Sequence, residues 1–144
     1  MLTVEESVVI DKPVSEVFAF FTDPDNVSVY SSNIGDYTVV SGGNTEVGRK
    51  AEFTAKVVGV RLDFTDELVE YEEGKHYELA SASARIPYTI DMRFEDQGDS
   101  TKVTWHQESE SLGSVFKFAD SIVLKMYSKD VRSNLEKAKT LLEA

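Results

Sequence analysis

The chain is rich in carboxylates, with 26 Asp and Glu, but holds no cysteine at all. That removes disulfides, thiolate metal sites and cysteine nucleophiles together, and it is the usage expected of a reducing, cytoplasmic compartment. Two histidines remain, His76 and His106. In "HYELAS" and "KVTWHQE" each alternates onto a charged face, where an imidazole is ordinary solvated surface despite its aptitude for proton transfer. No HxxxH or similar spacing gathers the three or four His, Asp and Glu ligands a zinc ion needs, so neither metal nor other cofactor is expected. "SVFK", Ser114 to Lys117, has the form SxxK but lacks the motifs that accompany it in β-lactamase-type enzymes, and Ser114 reads as a helix cap. "GGNTEVG" lacks the GK[ST] ending of a phosphate loop and reads as a hairpin turn.

The charged residues nearest the apolar stretches are Arg49, Asp63, Asp66 and Arg85. One drawn inside could serve as acid, base or electrophile at a shifted pKa. By parity Arg49, two before Ala51 and four before Phe53, points inward. Asp66 falls where alternation breaks before Leu68, so a bulge decides its direction. None of these is assigned a catalytic role.

These residues must be positioned by strands and helices that the apolar periodicity defines. Thr3 to Ile10 reads as a strand that Pro13 ends, and Pro13 suits the first turn of a helix, with Asp11 placed to cap it. Val14, Val17, Phe18 and Phe21 then form one apolar helical face. Pro24 stops that helix, and Asp23 or Asp25 caps a further short turn to about Tyr30. From Gly35 to Glu110, turn signals at "SGGN", Gly59, "EEGK" and "DQGDS" mark out six period-two strands. Val60, Leu62, Phe64, Tyr77, Leu79, Tyr88, Ile90, Met92, Phe94, Val103, Trp105 and Gln107 share one face. Arg61, Asp63, His76, Glu78, Asp91, Arg93, Lys102, Thr104 and His106 share the other, as in a sheet with one wet side.

After "SLGS" no proline or glycine interrupts the chain, which reads as one long helix capped by Ser114. Its apolar stripe turns. Val115, Ala119, Ile122 and Met126 make one face, and Leu124, Tyr127, Val131, Leu135, Ala138 and Leu142 another, so the helix bends or its first half touches something its second half does not. The whole, residues 1–144, is expected to form a single α+β domain in which the sheet wraps around this helix.

A formal charge of −11 without a basic cluster argues against nucleic acid or an anionic membrane as partner. The first residues carry glutamates where an export signal carries basic residues, and no apolar run is long enough to span a membrane.

The order strand, proline-initiated short helix with "VFAFFTDP", six-stranded meander and long C-terminal helix resembles the START-like (SRPBCC) superfamily, which includes birch-pollen allergens, lipid-transfer domains and polyketide cyclases. The likeness covers essentially the whole chain. Its sharpest part is "IDKPVSEVFAFFTDPDN", and "VEYEEGKHYEL" and "STKVTW" look like later family strands. Tyr30 stands near the place where the family pattern has tryptophan. The resemblance implies a helix-grip fold: a seven-stranded antiparallel sheet, two short helices between strands 1 and 2, and a cavity under the C-terminal helix that binds small apolar molecules. Phe18, Phe20 and Phe21 would then wall and plug one end.

The candidate ligand contacts are Tyr30, Phe53, Phe64, Tyr77, Tyr88, Met92, Trp105, Gln107, Phe118, Ile122 and Met126. Such an aromatic-rich face either fills a core or lines a pocket with a few polar tips. The tips are Tyr30, Tyr77, Tyr88, Trp105 and Gln107, whose buried polar atoms need either a ligand oxygen or a backbone carbonyl. Three functions fit: binding or transport of a small hydrophobic molecule (lipid, isoprenoid, quinone or polyketide-like), a cyclase or dehydratase-type enzyme, and a protein-interaction module or homodimer using the C-terminal helix.

Overall fold

Alternating valines draw the first segment into strand β1 (Leu2–Ile10), whose Val4, Val8 and Ile10 are buried. The computed structural model of the chain describes residues 2–83, 86–110 and 119–144. Helix α1 (Val14–Thr22) starts behind Pro13, which occupies the cap position without any side-chain hydrogen bond. Asp11 therefore does not cap it. Instead the Asp11 backbone N–H donates to Glu143 Oε2 (2.7 Å), tying the start of α1 to the far end of the chain. A 3₁₀ turn (Pro24–Asn26) follows, capped by Asp23, which accepts from the Asp25 backbone N–H (3.0 Å), and then the one-turn helix α2 (Val27–Tyr30).

Six strands come next: β2 (Ile34–Ser41), β3 (Lys50–Val57), β4 (Val60–Glu72), β5 (His76–Ser83), β6 (Tyr88–Asp96) and β7 (Thr101–Ser109). Together with β1 they form one antiparallel sheet in the order β1-β7-β6-β5-β4-β3-β2, so the first strand pairs with the last. His76 and His106 lie on the outer face as their parity requires, next to Glu70 and Glu72 and to Glu5 and Glu108. Hydrogen bonding to Glu5 raises the His106 pKa.

The inner face carries the core, closed by helix α3 (Asp120–Glu143). α3 begins at Asp120 because Ala119 is extended (φ −62°, ψ 150°), so the long helix does not run unbroken from Ser114. Ser114, Val115 and Phe118 lie outside the described residues, as does Arg85. Val131, Leu135 and Ala138 are fully buried against the sheet. Lys139 Nζ donates to the Val9 carbonyl (2.6 Å) and Arg132 Nε to Glu6 Oε1 (2.7 Å), tying the outer edge of α3 to β1.

The three phenylalanines of "VFAFF" have distinct places. Phe18 packs edge-on against Tyr71, Tyr77 and Phe94. Phe21 packs on Phe94 and Tyr30, and the half-buried Phe20 lies against Phe21 and Tyr30. The short helices thus cap one end of the sheet with an aromatic cluster, and edge-to-face pairs of this kind add to ordinary burial.

Candidate ligand cavity

Between the inner face of the sheet, α2 and α3 lies a cavity of about 140 Å³. That is room for a ring-sized molecule, comparable with the ~150 Å³ apolar cavity that takes up benzene in another protein. Its wall is mostly apolar. Tyr37, Phe53, Phe64 and Tyr88 form a continuous aromatic row across the sheet, with centroid separations of 5.3, 5.3 and 5.7 Å. Phe21, Tyr30, Tyr77, Met92, Trp105 and Gln107 also face the space, and α3 contributes Val123, Leu124 and Tyr127.

Eight of the residues expected from the sequence therefore line the cavity: Tyr30, Phe53, Phe64, Tyr77, Tyr88, Met92, Trp105 and Gln107. Phe118 lies outside the described residues. Ile122 and Met126 do not line it: they are 49% and 42% exposed, and Met126 borders a separate surface depression beside Asn33 and Gly59. Their neighbours Val123 and Tyr127, one position on and so rotated by about 100° on a helix of 3.6 residues per turn, are the ones that turn inward.

Polar tips find partners inside. Gln107 Oε1 accepts from both Trp105 Nε1 (3.0 Å) and the Tyr127 hydroxyl (2.9 Å). The Tyr77 hydroxyl reaches the Phe21 carbonyl at 3.4 Å. Burial pushes the phenol pKa values of Tyr30, Tyr77 and Tyr88 up and that of Tyr127 to about 12, so all four remain protonated donors at neutral pH.

One part of the wall is charged. Arg49 and Asp66 are only 5% and 2% exposed, yet both border the cavity. Their side chains are 3.8 Å apart, and Tyr37 links them: its hydroxyl donates to Asp66 (3.0 and 3.1 Å) and accepts from Arg49 Nη2 (2.6 Å). Arg49 Nη1 donates to the Asn44 carbonyl (3.1 Å) in the loop between β2 and β3. Gly42 allows that loop to close, since a Cβ there would come within 2.9 Å of Arg49 Cα and its φ is +84°.

Arg49 points inward as its parity predicts. Asp66 does so for a simpler reason than a bulge of its own: Leu62, Phe64, Asp66 and Leu68 are all buried, so alternation runs through it unbroken. The shift near it comes from β5, where Thr65 and Asp66 pair with Ser83 and Ser81 and skip Ala82. Asp63 remains on the exposed face. Tyr37 was missed by the sequence reading. Between the pairs Gly35–Thr54 and Thr38–Glu52 two residues of β2 oppose one of β3, and Asp36 takes a left-handed φ of +45°. This bulge re-aims Tyr37 toward the cavity, and regular alternation gives no sign of it.

Burial raises the Asp66 pKa from 3.8 to about 6 against the opposing influence of Arg49 and the Tyr37 hydrogen bond. A carboxyl poised there can hold or release a proton near neutrality. It also carries a stability signature. A group whose folded pKa is raised contributes stability that is complete below its unfolded pKa and is lost as pH rises through the folded value. The stability difference between the wild type and Asp66→Asn is therefore expected to move against the wild type by on the order of 3 kcal/mol between pH 4 and pH 7. Urea unfolding of both proteins across that range measures it.

Among the described residues no group of His, Asp and Glu could hold a metal ion, and no helix is long and apolar enough to cross a membrane.

A sheet curved over a C-terminal helix with an aromatic cavity between them defines a helix-grip protein. The chain matches, over residues 1–143, the family of polyketide cyclase / dehydrase and lipid transport proteins, and it belongs to that family within the START-like superfamily. Solved structures agree in fold. A protein from Thermus thermophilus superposes with a TM-score of 0.85 at 16% identity, covering 99% of this chain and 97% of that one. A START superfamily protein from Mycobacterium smegmatis gives 0.80 at 11% identity, covering 98% and 97%. The Zhui aromatase/cyclase from a Streptomyces species gives 0.78 at 12% identity, covering 99% and 93%. No curated protein matches the chain by sequence.

Proposed function

We propose that the protein binds, and carries or presents, a small hydrophobic molecule in the cavity between sheet and α3. The observation that carries this reading is the cavity itself: an aromatic row leading to a buried cluster of polar groups, the pattern of sites that hold an apolar body and orient one polar end. Membership of a family described by both lipid transport and cyclase or dehydrase activity supports it.

The test uses the chain's only tryptophan, Trp105, which borders the cavity and so reports its occupancy. Propylbenzene, which does not absorb at ~295 nm where indole is selectively excited, is expected to change Trp105 emission saturably. Ala55→Phe, which pushes a ring into the cavity from β3, is expected to weaken that response at least tenfold while the fold, followed by circular dichroism, is kept. An unsaturable response, or one equal in both proteins, would sink the reading.

A second reading, an enzyme of the cyclase or dehydratase sort, is favoured by Arg49, Tyr37 and Asp66. A cationic donor, a phenol and a carboxyl with a pKa of about 6 bordering one cavity are the groups needed to polarise a carbonyl and move a proton beside it. Loss of turnover of an identified ligand in Asp66→Asn, with binding retained, would separate catalysis from carriage.

A further inference from the structure

The Arg49 guanidinium is incompletely used. Of its donors, Nη1 serves the Asn44 carbonyl and Nη2 the Tyr37 hydroxyl. Nε is buried and has no partner among the described residues. Asp66 does not supply one: it lies 3.8 Å from Nη2 and is joined to it through Tyr37. Ser31 Oγ, in another part of the same cavity wall, is likewise buried and unpartnered among the described residues. A guanidinium with a vacant Nε edge matches two oxygens in a plane better than one, because Nε and an adjacent Nη can donate in parallel.

Charge decides what else must happen. The cluster holds one cation, Arg49, and one carboxylate, Asp66. Arg49, just ahead of β3, and Tyr37 on β2 act on Asp66, and its charge is felt in turn by Tyr30 on α2, Tyr77 on β5 and Tyr88 on β6. The tyrosines remain neutral, so a bound anion would leave a second negative charge buried unless Asp66 takes up a proton.

We propose that the ligand is a monocarboxylic acid with a compact apolar body, bound as its carboxylate on the Nε edge of Arg49, and that binding transfers one proton from solvent to Asp66. The buffer acid gives up that proton, its own bond to hydrogen breaking as the Asp66 O–H forms, and no other covalent bond changes. The raised Asp66 pKa makes the uptake inexpensive at neutral pH. This inference rests on the cavity reading above and names the substrate class of that site.

The experiment compares 3-phenylpropanoate with 3-phenylpropanamide, using propylbenzene as the neutral reference for the cavity. Isothermal calorimetry near pH 7, in two buffers of different ionisation heat, counts protons. The expected result is that the carboxylate binds at least tenfold tighter than the amide and takes up about one proton. Asp66→Asn, whose neutral amide needs no proton, should lose the proton uptake and bind the carboxylate more tightly near pH 7. Arg49→Met should lose at least tenfold for the carboxylate and little for propylbenzene. If that variant fails to fold, the wild-type proton count and Asp66→Asn still decide. An amide that binds as well as the carboxylate, or carboxylate binding without proton uptake, overturns the inference while propylbenzene binding leaves the cavity reading intact. Failure of all three probes to bind overturns both.

Discussion

Replacing Arg49 with methionine is expected to destabilise the protein by about 3–5 kcal/mol at pH 8, because it leaves the Asp66 carboxylate buried without its cation. The same change should cost clearly less at pH 5. Arg49 and the Tyr37 hydroxyl are the influences that hold the Asp66 pKa down against burial, so without Arg49 the carboxyl protonates at higher pH and ceases to be an unpaired charge. The hydrogen bonds of Arg49 to Asn44 and Tyr37 disappear at every pH, and they set the part of the loss that stays. Chemical denaturation of wild type and variant at both pH values measures this. A loss equal at pH 8 and pH 5 would mean that Arg49 acts through packing and hydrogen bonds alone.

Truncating Phe21 to alanine is expected to cost about 3–5 kcal/mol as well, by a different mechanism: transfer free energy plus the void left behind. Phe21 is 2% exposed and packs on Phe20, Tyr30 and Phe94. It also borders the cavity between sheet and α3, so the void should join that space and not collapse. Phe21→Ala is thus expected to lose stability independently of pH and to recover part of it when propylbenzene is added, since a ligand that binds only the folded state stabilises it by mass action. Thermal melts with and without the probe give the readout. A melting temperature indifferent to saturating propylbenzene would separate Phe21 from the cavity.

The architecture was legible because period-two alternation in β4 to β7 sorts inner from outer residues without knowledge of neighbours, and the structure keeps that sorting at Phe64, Tyr77, Met92 and Trp105. It fails where the backbone departs from its period. Tyr37 faces the cavity only because Asp36 adopts a left-handed conformation and makes a bulge, and nothing in "GDYTVV" announces that. Asp66 is the reverse case: alternation in β4 runs unbroken from Leu62 to Leu68, the register shift beside Asp66 belongs to β5, and β4's own extra residue, Val69, comes only after Leu68.

On α3 the stripe of Leu124, Tyr127, Val131, Leu135 and Ala138 was correctly read as a face. The choice of Ile122 and Met126 as cavity residues was not, because apolarity alone does not tell a helix's cavity side from an exposed flank. The cap positions show the same limit. Asp23 caps its turn, yet Asp11, equally apt by type, uses its backbone N–H to meet Glu143.

If the cavity between sheet and α3 is a working binding site, the protein should come out of the cell carrying a ligand. Native mass spectrometry of the protein recovered from its own host's lysate, followed by solvent extraction of whatever it carries, tests this most directly. The expected result is a stoichiometric small apolar companion that is absent from Ala55→Phe prepared in the same way. The contradicting result is a companion of the same mass on both proteins, or none on the wild type even after saturation with lysate extract, which would make the aromatic row from Tyr37 to Tyr88 packing and no more.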